Sequence, residues 1–241
     1  MISCPSNIIW PSVGSISFRI TRPVVDFQII HERFDDWSTD RRWDDRIVVE
    51  DNVIEAWLAV VDRYMKHADR PFDIDAATLR RHDEPPDYIS FREAAINLLI
   101  HQDYSDTARH PQMQIFRDRT RFWNPGDAFG SIEQLLEPGA KELRNPNIVA
   151  AFRRIGLSDQ AGTGIRAIFR NWRQLGNVLP QVVNNKADKS FELTLLREKL
   201  LSDAQRRFQQ ELGASLNEHE AALLAHACRH GRVSLTEAKA I

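Results

Sequence analysis

The sequence predicts an α+β fold gathered around one apolar helix, and three observations carry that expectation. Runs rich in β-branched and aromatic residues recur at residues 15–30, 111–124 and 190–195, which is the composition of strands. Helical periodicity marks residues 52–67 and 165–175, so strands and helices do not simply alternate. The stretch REAAINLLIHQDY at 92–104 is too apolar for a surface helix, yet Glu93, Asn97 and His101 recur along it every four residues. That spacing puts a carboxylate, an amide and an imidazole one turn apart on a single face. Buried polar groups need partners, so this stripe either satisfies itself through water or lines a ligand site.

At 241 residues the chain can bury one good-sized core or two modest ones. Its 32 basic and 34 acidic residues nearly cancel, so no global field announces a nucleic-acid partner. Cys4 and Cys228 lie near opposite ends and match no metal-ligand spacing. They fit a reducing cytoplasm with neither a disulfide framework nor a zinc site. No apolar run approaches membrane-spanning length and the first residues lack a signal-peptide pattern, which predicts a soluble cytoplasmic protein.

Taken in order, residues 15–30 read as one or two strands interrupted by Pro23. Residues 32–55 hold nine acids against four bases, and their Trp37 and Trp43 read as cover for an edge of the core. Asn52 opens a helix, with Glu55 placed for a capping box and Val53, Trp57, Val60, Val61 and Tyr64 on its buried side. The Pro85-Pro86 pair then leads into the apolar helix, which starts at Asp87 or at Ser90. If Ser90 is the cap, the S-F-R-E run gives Glu93 a purely structural use, reaching back to the first backbone amide.

Residues 111–124 read as a hairpin that turns at 117–120, followed by a break at N-P-G-D, residues 124–127. On its own that break is a common turn after a strand. Asn145 with Pro146 at the first helical position starts a further helix. Residues 141–173 carry seven bases and two acids. Such a surface suits either a solvated basic face or a lid over phosphates, with Lys141 and Arg144 best placed to reach them. The Q-A-G-T-G-I run at 160–165 enters the next helix directly. Free amides and the positive dipole end there can cradle phosphate, and Gly162, Thr163 and Gly164 let the chain come close. No G-x-x-x-x-G-K-[ST] motif occurs, so a Walker loop and the motor helicases that need one are not expected.

The E-x-x-x-N spacing of Glu93 and Asn97 resembles the N box of the GHKL ATPases, the group that includes gyrase B, histidine kinases and MutL. The order that follows strengthens the likeness: a hairpin, the N-P-G-D turn, the R-N-P helix, G-T-G-I, then S-F-E-L-T-L at 190–195. Together these features resemble the GHKL-type, or Bergerat, ATP-binding domain of bacterial RecG-like and Schlafen-AlbA-associated transcriptional regulators. The likeness is strongest from about Asp87 to Leu195 and extends back to about Asp26. In those relatives the helix commonly reads REA-x-x-N-x-x-x-H-R-D-Y, so His101, Asp103 and Tyr104 match while Gln102 replaces a base.

The resemblance implies an α/β sandwich of a mixed, mainly antiparallel sheet with helices on one face. It implies ATP and Mg as ligands, with Glu93 activating water and Asn97 coordinating the metal on the phosphates. His101, Asp103, Asn124, Gly126, Lys141, Arg144, Gly162, Thr163 and Gly164 become the remaining candidate nucleotide contacts. Where the family has an Asp that receives the adenine amino group, this chain has Asn124, which can accept the same hydrogen bond without charge.

Residues 1–200 would form the ATP-binding domain and 201–241 a partial winged-helix-like segment. Those relatives usually carry an upstream AlbA-like DNA-binding domain, for which this sequence leaves no room. Residue 241 arrives before a full recognition helix, so the tail reads either as the start of such a domain or as plain helices. The expected partners are ATP and, through a missing or truncated domain, DNA, with a second copy of the chain as a further candidate; none is a membrane. Two functional classes follow: an Mg-dependent ATPase of a DNA-associated regulatory or defence protein, or a non-catalytic nucleotide-sensing module that acts through partners.

Overall fold

The computed structural model describes residues 24–30, 43–50, 52–68, 73–74, 81–82, 85–106, 108–137, 139, 142–157, 164–200, 207–208, 211, 213 and 216–240. A six-stranded sheet is formed by β1 (Val25–Ile30), β2 (Asp45–Val49), β5 (Gln112–Phe116), β6 (Arg119–Pro125), β7 (Gln181–Asn185) and β8 (Ser190–Leu196). They run in the order β2-β1-β5-β6-β8-β7. Only β1 and β5 pair in parallel; the other neighbours are antiparallel. A separate two-stranded ribbon joins β3 (Asp73–Ile74) to β4 (Arg81–His82). The helices are α1 (Val53–His67), α2 (Tyr88–His101), α3 (Ile132–Leu136), α4 (Pro146–Arg154), α5 (Gly164–Gln174), α6 (Glu218–His230) and α7 (Leu235–Ala240). The chain therefore has the α+β sandwich expected of it.

Period-two alternation gives the sheet two different faces. Through the registers, Ile47, Phe27, Met113, Phe122, Leu193 and Val182 lie opposite one another in one unbroken row across all six strands. That row meets α1, α2 and α5 in a single core. The adjacent row, on the other face, is Arg46, Gln28, Gln114, Arg121, Thr194 and Gln181. Its members and their neighbours are hydrogen-bonded in series. Arg46 and Gln28 both donate to Asp26 at 2.7–2.9 Å, Gln114 donates to Gln28 at 2.9 Å, and Arg121 donates to Gln114 at 2.9 Å and to Glu192 at 2.7 Å.

Helix α1 begins where Asn52 accepts from the amides of Ile54 and Glu55 at 2.9 and 3.0 Å, and it buries Ala56, Trp57, Val60 and Tyr64. Tyr64 stacks on Phe91 of α2 at 3.8 Å between ring centroids, and its hydroxyl donates to Asp87 at 2.5 Å. Trp43 lies beneath the Arg46 guanidinium at 4.6 Å. Trp37, the first part of the N-terminal strand reading and the expected helix after Ser202 lie outside or largely outside the described residues.

The alternatives for the start of α2 are settled by tertiary contacts. Its first residue is Tyr88, and Ser90 is fully buried one turn inside. The Ser90 hydroxyl donates to Asn171 Oδ1 on α5 at 2.6 Å, and no side chain caps the start of α2. The capping-box reading of Glu93 is thereby removed. Asn145 also does more than begin a helix: its side-chain amide donates to the carbonyls of Ile100 and Gln102 at 2.9 and 2.8 Å. Those belong to the last turn of α2, whose carbonyls have no partner within the helix.

Toward the C-terminal end, α6 rests on a small second cluster of Val178, Leu200 and Ala222. The G-R-V-S link to α7 contains no strand. Among the described residues no helix is long and apolar enough to cross a membrane.

Removing the buried Ser90 hydroxyl leaves the half-buried Asn171 oxygen without its donor. Ser90→Ala should lower unfolding stability by about 1–2 kcal/mol in urea titration. A loss below a few tenths would mean this bond does not hold α2 to α5.

Candidate functional site

Helix α2 is enclosed by the sheet on one side and α5 on another, and along the remaining gap lies a cavity of about 1080 Å³. Glu93, Asn97 and His101 all line it, as the four-residue spacing requires. Asn124 and Gly126 reach it from the end of β6, Arg144 from the approach to α4, and Gly164 from the first residue of α5. The volume is of the size that holds a nucleotide-class ligand.

At one end sits the amide of Asn97. A Cβ built at Gly164 would come within 3.0 Å of Asn97 Nδ2 and 3.2 Å of Oδ1, so a side chain there would push the Asn97 amide aside. Asn97 Nδ2 is buried and has no hydrogen-bond partner among the described residues. A native buried donor of this kind costs stability unless something else satisfies it, and here it borders an open cavity. The first turn of α5 adds backbone amides that a helix leaves without partners of its own. For a magnesium ion, Asn97 offers one amide oxygen, and no group of three or more His, Cys, Asp or Glu stands ready to hold a metal among the described residues. That donor set fits an ion whose other ligands are phosphate oxygens and water, which is the usual protein environment of magnesium.

Glu93 stands one turn before Asn97. Its carboxylate accepts from Arg92 Nη2 at 3.0 Å, and its side chain is 20 % exposed. One turn beyond Asn97, the His101 ring makes no hydrogen bond among the described residues. Burial and the neighbouring Arg144 charge push its pKa down to about 4, so the imidazole is neutral near pH 7.

The other end of the cavity is built around Asn124 and Gly126. Asn124 is 4 % exposed, and its amide nitrogen donates to the Pro125 carbonyl at 3.2 Å, with a longer contact to Gly126 at 3.5 Å. This turns the amide oxygen into the remaining acceptor. Gly126 has φ +104°, and a Cβ there would meet Arg144 Nε and the Asp103 amide nitrogen, each at 3.0 Å. Both the backbone conformation and the space call for glycine.

Arg144 is already engaged. It donates to the Asp127 carbonyl at 2.7 Å, approaches the Asp127 and Asp103 carboxylates at 3.6 and 3.9 Å, and covers the Phe129 ring at 4.7 Å. Lys186 pairs with Asp127 at 2.9 Å. Asp103 lies behind this wall and does not line the cavity. Its carboxylate accepts from Ser105 Oγ at 2.6 Å, which, together with Arg144, holds its pKa below the usual carboxylate value. Tyr104, last of the matched motif, donates to the Leu99 carbonyl at 2.7 Å and is structural.

Lys141, Gly162 and Thr163 lie outside the described residues. The structure thus brings Glu93, Asn97, His101, Asn124, Gly126, Arg144 and Gly164 to one cavity. Sequence reasoning passed over Arg92, Asp127 and Phe129, which line it too. Arg92 stood inside the quoted R-E-A run and Asp127 inside N-P-G-D, so spacing alone held a signal for both.

Residues 108–195 match the family model described as "Putative ATP-dependent DNA helicase recG C-terminal". No curated protein matches the sequence. Among solved structures, the DIP2311 protein from Corynebacterium diphtheriae is similar in fold, with a TM-score of 0.59 at 20 % identity over 75 % of this chain. The chain spans 36 % of that protein's chain. The family match supports an ATPase-like domain, and its matched stretch includes the β5–β6 hairpin, the Asn124 turn, the Gly164 helix start and most of β8.

The lowered His101 pKa carries a consequence for stability. An unfolded imidazole binds its proton near pH 6.5, the folded one near 4, so acid favours the unfolded chain between those values. The contribution is complete above about pH 6.5 and falls as the pH drops toward 4, by roughly 2–3 kcal/mol over that window. Urea titrations of the wild type and His101→Gln at several pH values should show a shallower loss in the variant. Equal slopes would mean that His101 does not titrate from a buried position.

Proposed function

We propose that the chain binds ATP with magnesium in this cavity and hydrolyses it, as a GHKL-type ATPase within a DNA-associated regulatory or defence protein. The observation that carries this reading is the buried, partnerless amide of Asn97 pressed against Gly164 at the start of α5, with Glu93 one turn away. Phosphates would lie at that end, over the amides of α5 and the glycine run at 162–164. Asn97 would hold the magnesium ion, which when bound neutralises phosphate charge. Glu93 then takes the proton of an attacking water, while most of the rate comes from positioning and charge neutralisation.

The adenine would sit at the opposite end, where the Asn124 oxygen accepts from its exocyclic amino group. Gly126 leaves the backbone close to the base, and His101 supports the middle of the nucleotide as a neutral ring. Arg144, tied to Asp103 and Asp127, shapes the base end; Lys141 remains the candidate cation for the phosphates. Residues 1–200 make the nucleotide-binding unit in this reading, and 201–241 a winged-helix-like segment directed at DNA or at a partner.

A second reading, a nucleotide sensor without turnover, is favoured by two observations: Asn124 is uncharged, and the Glu93 carboxylate is occupied by Arg92. Calorimetric titration with ATP and ADP, with and without magnesium, followed by phosphate-release assays, separates the two. An ATPase binds ATP more tightly with magnesium and releases phosphate. Glu93→Ala should then keep ATP binding and lose turnover by about 100-fold or more. Binding without any phosphate release supports the sensor, and no nucleotide binding at all overturns both.

Gly164→Ala tests the phosphate end separately. The substitution places a methyl group against the Asn97 amide at a backbone position that alanine accepts, so the melting temperature should hold. ATP affinity should fall about tenfold. Unchanged affinity would place the phosphates elsewhere.

A further inference from the structure

Arg92 lines the cavity beside Glu93, and among the described residues its guanidinium has an incomplete set of partners. Among the described residues its one side-chain hydrogen bond is Nη2 to Glu93 Oε1 at 3.0 Å, and its Nε is buried with no partner at all. A guanidinium carries five donors in a fixed fork suited to carboxylate or phosphate. This one uses a single donor on the carboxylate that the proposed reading assigns to water activation. Two other arginines line the cavity: Arg144 is consumed at the base end by Asp127 and Asp103, and Arg170 stands on α5, not on the Glu93 helix. The carboxylate at 93 would repel a terminal phosphate, and a guanidinium beside it would offset that repulsion in addition to the magnesium ion.

We propose, building on the ATP-binding reading, that Arg92 is a γ-phosphate sensor that exchanges partners: it holds Glu93 when the cavity is empty or contains ADP, and turns to the terminal phosphate when ATP is bound. The phosphoryl group offers three oxygens and greater charge than a carboxylate, so it competes for the fork. Its arrival frees the Glu93 carboxylate as a proton acceptor only when there is a bond to cleave. In that step the water oxygen bonds to the γ-phosphorus while the bridge to the β-phosphate breaks. ADP leaves with the electron pair of that bridge, inorganic phosphate forms, and the water proton passes to Glu93 and then to solvent. Arg92 contacts the transferred group, and its pairing with Glu93 restrains the base between turnovers.

The test compares binding of a non-hydrolysable ATP analogue and of ADP, each with magnesium, to the full chain and its variants by calorimetry. Wild type should prefer the triphosphate. Arg92→Gln should weaken the analogue about tenfold and leave ADP nearly unchanged, erasing the preference. Arg92→Lys should keep part of it. Glu93→Gln, which releases Arg92 beforehand, should tighten the analogue a few-fold without affecting ADP, and this arm remains informative if Arg92→Gln fails to fold. Equal weakening of both nucleotides in Arg92→Gln, or no gain in Glu93→Gln, overturns the exchange while leaving ATP binding intact. A wild type that binds neither nucleotide overturns the ATP reading and the exchange with it.

Discussion

The structure depends on how α2 is buried. Phe91, Ala94, Ala95, Ile96, Leu98, Leu99 and Ile100 are all nearly inaccessible to water, so the helix is held between the sheet and its neighbouring helices. A helix with that composition has only one stable place, the centre of the core. Its Glu93-Asn97-His101 stripe must then be accommodated inside the protein, where unpaired polar groups are costly. The fold meets that demand by leaving a gap along the stripe. The cavity is the consequence of putting polar residues on a helix that cannot turn them outward.

The surrounding elements fix the gap's dimensions. The apolar row from Ile47 to Val182 sets the surface on which α2 rests. Ser90 fixes α2 against α5, and Asn145 ties the last turn of α2 to the start of α4. These contacts bring the first residue of α5 against Asn97 and the end of β6 against His101's end of the stripe. The hydrogen-bonded polar row on the opposite face keeps the strands in register from the side away from α2. A one-residue slip would exchange the two rows and place Arg121 and Gln114 in the core, so the register is strongly specified.

Much of this was legible in the sequence because it follows from period and spacing. The α1 cap at Asn52, the β5–β6 hairpin, the start of α5 and the strand at 190–196 all appear where local pattern placed them. Elements defined by remote contacts were harder. β2 lies within the acidic stretch at 32–55 and was not read as a strand, since its alternation is weak without Phe27 opposite Ile47. β7 has the polar sequence QVVNN and becomes a strand by pairing with β8. Ser90 fitted a capping box in one dimension, but its partner Asn171 is 81 residues away.

The site divides along the same line. Residues on a single helix, Glu93, Asn97 and His101, were legible because 3.6-residue periodicity places them together. Arg144 was counted as a positive charge available to phosphate, whereas charge counting could not reveal Asp127 and Asp103 beside it. The inclusion of Gly164 with Asn97 likewise rests on α2–α5 packing. That packing is the point at which the account is most exposed. A crystal structure with magnesium and a non-hydrolysable ATP analogue tests it directly. The account predicts phosphates over the start of α5 with a magnesium ion on the Asn97 oxygen and the base against Asn124; an analogue bound elsewhere, with the Asn97 amide still without a partner, would contradict it.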